Sequence, residues 1–421
     1  MAENTEGTAT VIVIGGGYAG VMAANRLTQH AGLTVRLINP RPHFVERIRL
    51  HQLVCGSDDA VTDYPQVLAS DVDLVVDTVE RIDAAGRSVT LASGDSIGYD
   101  YLICAVGSHS TGEAVSGTAV SGTAAPGTAA PGPAVPGAAE FAHPIATLES
   151  ARRLRDALAA APATAAVTVV GAGPTGIETA AELAETSGHA VTLVCGEVLG
   201  PYLHPSGRRY VAKHLARLGV SVLQGPGAEV TAVSRDSVRL GDGRTLPSDV
   251  TVWTAGFAVP DLARRSALST DAAGRILTDE TLTSVDDPRI IAAGDISAPS
   301  GLPLRMSCQA AMFLGAHAAD TVLSRIAGNP PTPLDQGFFG QCISLGRRAG
   351  IFQLAHKNDT AKRLHISGRP GAKLKEIVCR HIIRTVAGEA RKPGSTTWPK
   401  DPGRRQLLQS EPGEPGTQVP L

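Results

Sequence analysis

Val11-Ile-Val-Ile-Gly15-Gly16-Gly17-Tyr18-Ala19-Gly20 decides the reading of this chain, because the same grammar returns at Val167-Thr-Val-Val-Gly171-Ala172-Gly173-Pro174-Thr175-Gly176-Ile177-Glu178. Each stretch runs from an apolar, β-branched segment through a glycine-rich turn into an Ala-rich helical pattern. That context gives a G-x-G-x-x-G motif its meaning as a dinucleotide fingerprint. The first glycine permits a tight strand-to-helix turn. The second lets backbone approach a pyrophosphate, and the third lets helix pack on strand. The pyrophosphate is then held by unpaired N–H groups at the helix N-terminus. Two such sites in one chain imply two dinucleotides in contact, one able to reduce the other.

Outward from these motifs, the pattern predicts an α/β fold of two Rossmann-like units. Strand signals fall at 33–38, 72–77, 88–91 and 99–107 in the first half, and at 220–223, 230–233, 237–240 and 250–256 in the second. Ile290-Ile-Ala-Ala-Gly-Asp295 reads as a buried strand, followed by a helix over 307–326. The expected organisation is a dinucleotide domain in two segments (1–109 and 271–330) interrupted by a second one (140–270). A smaller α+β unit (331–390) and a disordered proline-rich tail (391–421) follow. Between the two motifs, 110–139 carries glycines at 117, 122, 127, 132 and 137 among small residues, which reads as a low-complexity flexible loop.

Lys plus Arg total 38 against 40 Asp plus Glu, a net charge of −2, which argues against nucleic-acid binding through bulk charge. With 43% hydrophobic and 19% charged residues, the composition is that of a soluble globular protein. The N-terminal stretch shows no signal peptide, and the expected setting is cytoplasmic. The six cysteines form no C-x-x-C pair and no metal-ligand spacing, so neither a local redox disulfide nor a metal site is expected.

The motif order resembles the two-dinucleotide flavoproteins of the pyridine-nucleotide-disulfide oxidoreductase superfamily. Within it, the branch of type II NADH dehydrogenases and apoptosis-inducing-factor-like proteins, without the redox disulfide, is the nearest in pattern. Gly15–Gly20, Tyr101-Leu-Ile-Cys-Ala105-Val-Gly107, Gly171–Glu178, Thr254-Ala-Gly256-Phe257 and Ile291-Ala-Ala-Gly-Asp295 carry the resemblance. It implies FAD at the first fingerprint (Gly15, Gly16, Gly17, Tyr18, Ala19, Gly20) and NAD(P)H at the second (Gly171, Gly173, Pro174, Thr175, Gly176). Ala105, Gly107 and Gly256 mark strand ends at the cofactors.

The resemblance also implies that Asp295 holds the flavin's sugar-alcohol chain, the alternative being a helix cap. It places Cys308 and Gln309 beside the flavin at a helix N-terminus. Glu178 is implied to reach the nicotinamide side, against a plain first-turn acid. An acidic ribose ligand is missing from both units. Asn39, able to bond a ribose, stands in its place in the first, with Arg41 set to face the FAD phosphates, and Glu197 stands two residues late in the second. Arg47, Arg49 and His51 are either flavin neighbours or a solvated helix face, and Gln341 is an acceptor-side candidate.

The implied activity is hydride transfer from NAD(P)H to flavin, then electron transfer to a small acceptor, most naturally a quinone. The alternatives are a biosynthetic flavoenzyme or a redox-responsive binding module. A homodimer, and peripheral membrane contact through the basic amphipathic stretch 373–384, are left open.

Overall fold

The computed structural model describes residues 9–110 and 135–409. The glycine repeat of 110–139 therefore lies almost wholly outside the described residues, as do 410–421 at the C-terminus.

The chain begins as strand β1 (Ala9–Ile14), helix α1 (Tyr18–Leu27) and strand β2 (Leu33–Asn39). A short helix α2 (Leu50–Val54), strand β3 (Val72–Val76) and strand β4 (Tyr101–Cys104) follow. All pairing is parallel, with Val11 opposite both Val35 and Tyr101. Val11, Ile12 and Val13 are fully buried, because helices cover one face of the sheet and the antiparallel ribbon Val79–Gly98 covers the other, so the strands become continuously apolar.

The second sheet repeats the plan. Strand β5 (Ala142–Pro144) and helix α3 (Leu148–Ala160) lead to β6 (Ala166–Val170), α4 (Pro174–Thr186), β7 (Ala190–Val194), β8 (Ser221–Leu223) and β9 (Val250–Trp253). Their order in the sheet is β5-β9-β6-β7-β8. Thr147 starts α3 with a reciprocal capping box to Ser150, which satisfies helix N–H groups that otherwise lack partners.

The chain then returns to the first sheet. Strand β10 (Ile290–Ala292) pairs with β4 and completes the order β10-β4-β1-β2-β3. Helix α5 (Cys308–Ile326) follows and packs along α1. Gly315 of α5 permits that approach, since a Cβ there would sit 2.1 Å from the Ala19 carbonyl oxygen. A three-stranded antiparallel ribbon precedes the last strand of each half, at Val79–Gly98 and Val230–Pro247.

Antiparallel strands β11 (Gly340–Ser344), β12 (Gly350–Ala355) and β13 (Ala361–Ser367) then lead into helix α6 (Gly368–Arg391). Contrary to the expected disordered tail, 391–409 is folded onto the body. Arg404 makes a buried pair of bonds to Glu280 at 2.7 and 2.9 Å, Lys400 bridges to Gln336, and Gly403–Gln409 is helical. Proline-rich composition does not reveal such docking, because the anchoring partners Glu280 and Gln336 lie far away in sequence.

Candidate functional site

The two glycine turns are built alike. A Cβ on Gly15 would meet the Ala105 carbonyl at 2.5 Å, and one on Gly171 would meet the Thr254 hydroxyl at 2.3 Å. Both glycines take positive φ, +100° and +130°. The third glycines touch their own turns: a Cβ on Gly20 falls 1.7 Å from the Gly15 oxygen, and one on Gly176 falls 2.1 Å from the Gly171 oxygen. Gly17 and Gly173, by contrast, would meet nothing within 4 Å. These are the N-cap positions of α1 and α4, where the backbone stays open to a ligand.

Asn39 and Arg41 are already engaged. Asn39 Oδ1 accepts from the Gly16 N–H at 2.9 Å, and its Nδ2 donates to the Arg41 carbonyl at 2.9 Å. Asn39 thus props the first glycine turn, and the Tyr64 hydroxyl adds a bond to the Gly16 carbonyl at 2.9 Å. Arg41 grips Glu149 of α3 through two bonds of 2.7 and 2.6 Å rather than facing a phosphate. Glu197 is exposed just beyond β7, and among the described residues its carboxylate has no partner. It is the acid nearest the ribose end of the second strand.

A second constellation joins the two halves. Ser108 donates to Asp295 Oδ2 at 2.6 Å. Arg47 donates to Ser108 at 3.0 Å, stands 3.7 Å from Asp295, and lies 5.5 Å over the Phe257 ring. The strand ends that carry these groups pair at His109↔Ala258, just past Gly107 and Gly256. Ser108 was missed by the sequence reading, although it directly follows the marked Gly107.

Cys308 and Gln309 begin α5, whose Ser307 cap accepts from the Ala310 N–H. Gln309 Nε2 is buried without a protein partner, a donor left for a ligand. All six cysteines are free thiols. Burial pushes Cys308 up to about 11 and Cys342 up to about 12, so both stay protonated and unreactive near neutral pH.

Glu178 lies on the helix that the second glycine turn opens, and its carboxylate is engaged within the protein. It is buried in the second turn of α4, and its Oε1 lies 3.0 Å from the Lys375 ammonium of α6. The same oxygen accepts from the Ser344 N–H at 3.0 Å, and His51 of α2 lies 3.7 Å away. Burial opposes the charge, yet Lys375, His51 and the Ser344 N–H together outweigh it and hold the carboxyl below its ordinary range. One helical turn on, Glu182 accepts from Ser57 at 2.5 Å and approaches His51 at 3.5 Å. Burial pushes Glu182 up.

Burial also pushes His51 down to about 4, with Glu178 opposing the shift and Lys375 adding to it. The unfolded chain then takes up a proton below pH 6.5 that the folded chain refuses until near pH 4. Stability is full above 6.5 and is lost as pH falls through that window. At pH 5 the loss from this residue is about 2 kcal/mol. In His51→Gln, the urea midpoint should therefore change less between pH 7 and pH 5 than in the parent chain. Equal changes would refute the assignment.

Arg49 is likewise structural. It bonds Glu46, Gln52 and Glu376 at 2.8–3.3 Å, so it belongs to the packing of α2 against α6 rather than to a solvated face. Gln341 donates to the Tyr202 carbonyl at 2.9 Å. Among the described residues no helix is long and apolar enough to cross a membrane, and no group of His, Cys, Asp or Glu could hold a metal ion.

Comparison with known proteins agrees with this geometry. An NADH dehydrogenase-like protein of Mycobacterium tuberculosis is 31% identical over 374 residues, covering 81% of this chain and 87% of that protein. A type II NADH:quinone oxidoreductase of the same organism is 28% identical, covering 76% and 73%. Among solved structures, the sulfide:quinone oxidoreductase of Aquifex aeolicus superposes with a TM-score of 0.73 at 20% identity, covering 92% and 93%. The Plasmodium falciparum NDH2 in complex with NADH does so at 0.71 and 15%, covering 92% and 99%, and both likenesses concern the fold alone. The family model described as pyridine nucleotide-disulphide oxidoreductase matches residues 9–315. The chain belongs to that family, and is an FAD-dependent NAD(P)H oxidoreductase.

Proposed function

We propose that the electrons leave for a quinone. The carrying observation is the buried Lys375–Glu178 pair. It lies close enough to α5 that the ammonium acts on the Cys308 thiol, and it would serve an acceptor bound beside the start of that helix. The free, protonated cysteines support a route that bypasses any dithiol.

FAD, when bound, supplies a two-electron carrier that takes hydride from a nicotinamide and passes electrons onward. Gly17 and the start of α1 would receive its pyrophosphate. Asp295, oriented by Ser108 and Arg47, would accept from the sugar-alcohol hydroxyls. Gln309 Nε2 would donate to the ring or to the acceptor. Gly173 and the start of α4 would receive the nicotinamide dinucleotide. Lys375, its ammonium kept charged by Glu178, would donate a hydrogen bond to the negative charge developing on the acceptor. Reduction of a quinone by NADH consumes one further proton: NADH + H⁺ + Q gives NAD⁺ + QH₂.

The reading does not rely on 373–384 as a membrane anchor. Val378 and Ile382 of that stretch pack into the core, and Ile377 is its one strongly exposed apolar residue.

Anaerobic stopped-flow mixing with NADH or NADPH, then with a short-chain quinone, tests the reading. Flavin bleaching followed by reoxidation much faster than by oxygen is expected. Bleaching without quinone reoxidation would sink the quinone assignment. The free Glu197 carboxylate suits a ribose 2′-hydroxyl and repels a 2′-phosphate, so NADH should be preferred. Glu197→Arg should shift the NADH/NADPH ratio of kcat/KM toward NADPH by about tenfold or more, one charge contact's worth. An unchanged ratio would exclude Glu197 from the ribose site.

A further inference from the structure

Outside the dinucleotide sites, the structure holds a cleft of about 330 Å³ between the turn after β11 and the first turns of α6. Its size falls at the lower end of small-molecule sites. Arg347 and Arg348 line one wall, Arg369 and Lys373 the other, and Lys375 with Ser344 the floor. The chain as a whole carries a net charge of −2, so five cations around one small volume are a local departure.

The nearby acids neutralise them only in part. Glu376, the one acid in the lining, is committed to Arg49 and Arg380, each at 3.0 Å. Glu182 and Glu185 reach Arg347 and Arg348 only at 4.0 and 3.9 Å. Glu178 satisfies Lys375 alone. Among the described residues, the exposed Arg369 and Lys373 have no acidic partner. Arg369 and Lys373 thus add two uncompensated positive charges beside three partly paired ones, which costs free energy unless an anion occupies the space between them.

We propose that this cleft binds a phosphate-bearing small molecule. Guanidinium forks suit phosphate oxygens, and several cations around one volume favour a multiply charged anion over a monocarboxylate. The N-terminal end of α6, the positive end of its dipole, adds to the same field. The site is separate from the pyrophosphate cradles at Gly17 and Gly173, and the inference stands whether or not the acceptor is a quinone. Its floor shares Ser344 and Lys375 with the Glu178 pair, so an occupant would touch groups that hold that pair.

The test is titration calorimetry of the FAD-loaded full chain, saturated with NAD⁺ to fill both cradles, using inorganic pyrophosphate as probe. Saturable binding is expected, weakening at least tenfold in Arg369→Ala/Lys373→Ala and falling as salt rises. Both residues are exposed, so the variant should keep its flavin content and its NADH-driven flavin reduction. Absence of binding, or binding unaffected by the double substitution, would overturn the proposal. So would phosphatidylglycerol vesicles sedimenting the parent chain but not the variant while pyrophosphate fails to bind, because the face would then recognise a membrane.

Discussion

Lys375→Met is expected to destabilise the chain by about 3–5 kcal/mol and to cut quinone turnover far more than flavin reduction. The ammonium and the Glu178 carboxylate are each about nine-tenths buried and 3.0 Å apart. Removing one partner leaves an uncompensated charge in a poorly solvated place, which is where large penalties arise. The Glu178 carboxyl would then be pushed up, because burial would no longer be opposed by its strongest counter-charge.

Adding Glu178→Gln to Lys375→Met should recover much of the stability, since the orphaned charge disappears. Quinone turnover should stay low in the double variant, and Lys375→Arg should restore part of it. Urea unfolding separates the stability effect, and stopped-flow separates the half-reactions. Retained stability and retained turnover in Lys375→Met would show that the pair has neither role.

Gly173→Asp is expected to raise the KM for the nicotinamide substrate by about a hundredfold or more, corresponding to roughly 2.7 kcal/mol. Flavin content and thermal stability should stay unchanged. The backbone there is extended, with φ −76° and ψ 177°, and an added Cβ meets nothing within 4 Å. The fold therefore tolerates a side chain at this position. The open space is the place assigned to the pyrophosphate, and a carboxylate there competes for the same N–H groups and repels the ligand. An unchanged KM would place the nicotinamide dinucleotide somewhere else. Loss of flavin instead would mean that the two sites are not independent.

The sequence by itself determined the double α/β plan and the order of the elements. Glycine turns after β-branched runs are local features, and local features are legible in one dimension. The roles of Gly15, Gly20, Gly171 and Gly176 follow from contacts with neighbouring strands and turns that the motif itself presupposes. A hint of the ion network was also present. Glu178 and Glu182 stand one turn apart within the buried stretch of α4, and Lys375 falls in the stripe of Gly371, Cys379 and Ile382 that packs on the body.

Only the tertiary structure decided what those charges meet. Glu178 finds Lys375 nearly two hundred residues away, Arg41 finds Glu149, Arg404 finds Glu280, and Arg47 finds Ser108 and Asp295. A charged side chain advertises that it needs a partner when buried, because desolvation is costly. Which partner it finds is set by how distant helices and strands close upon one another.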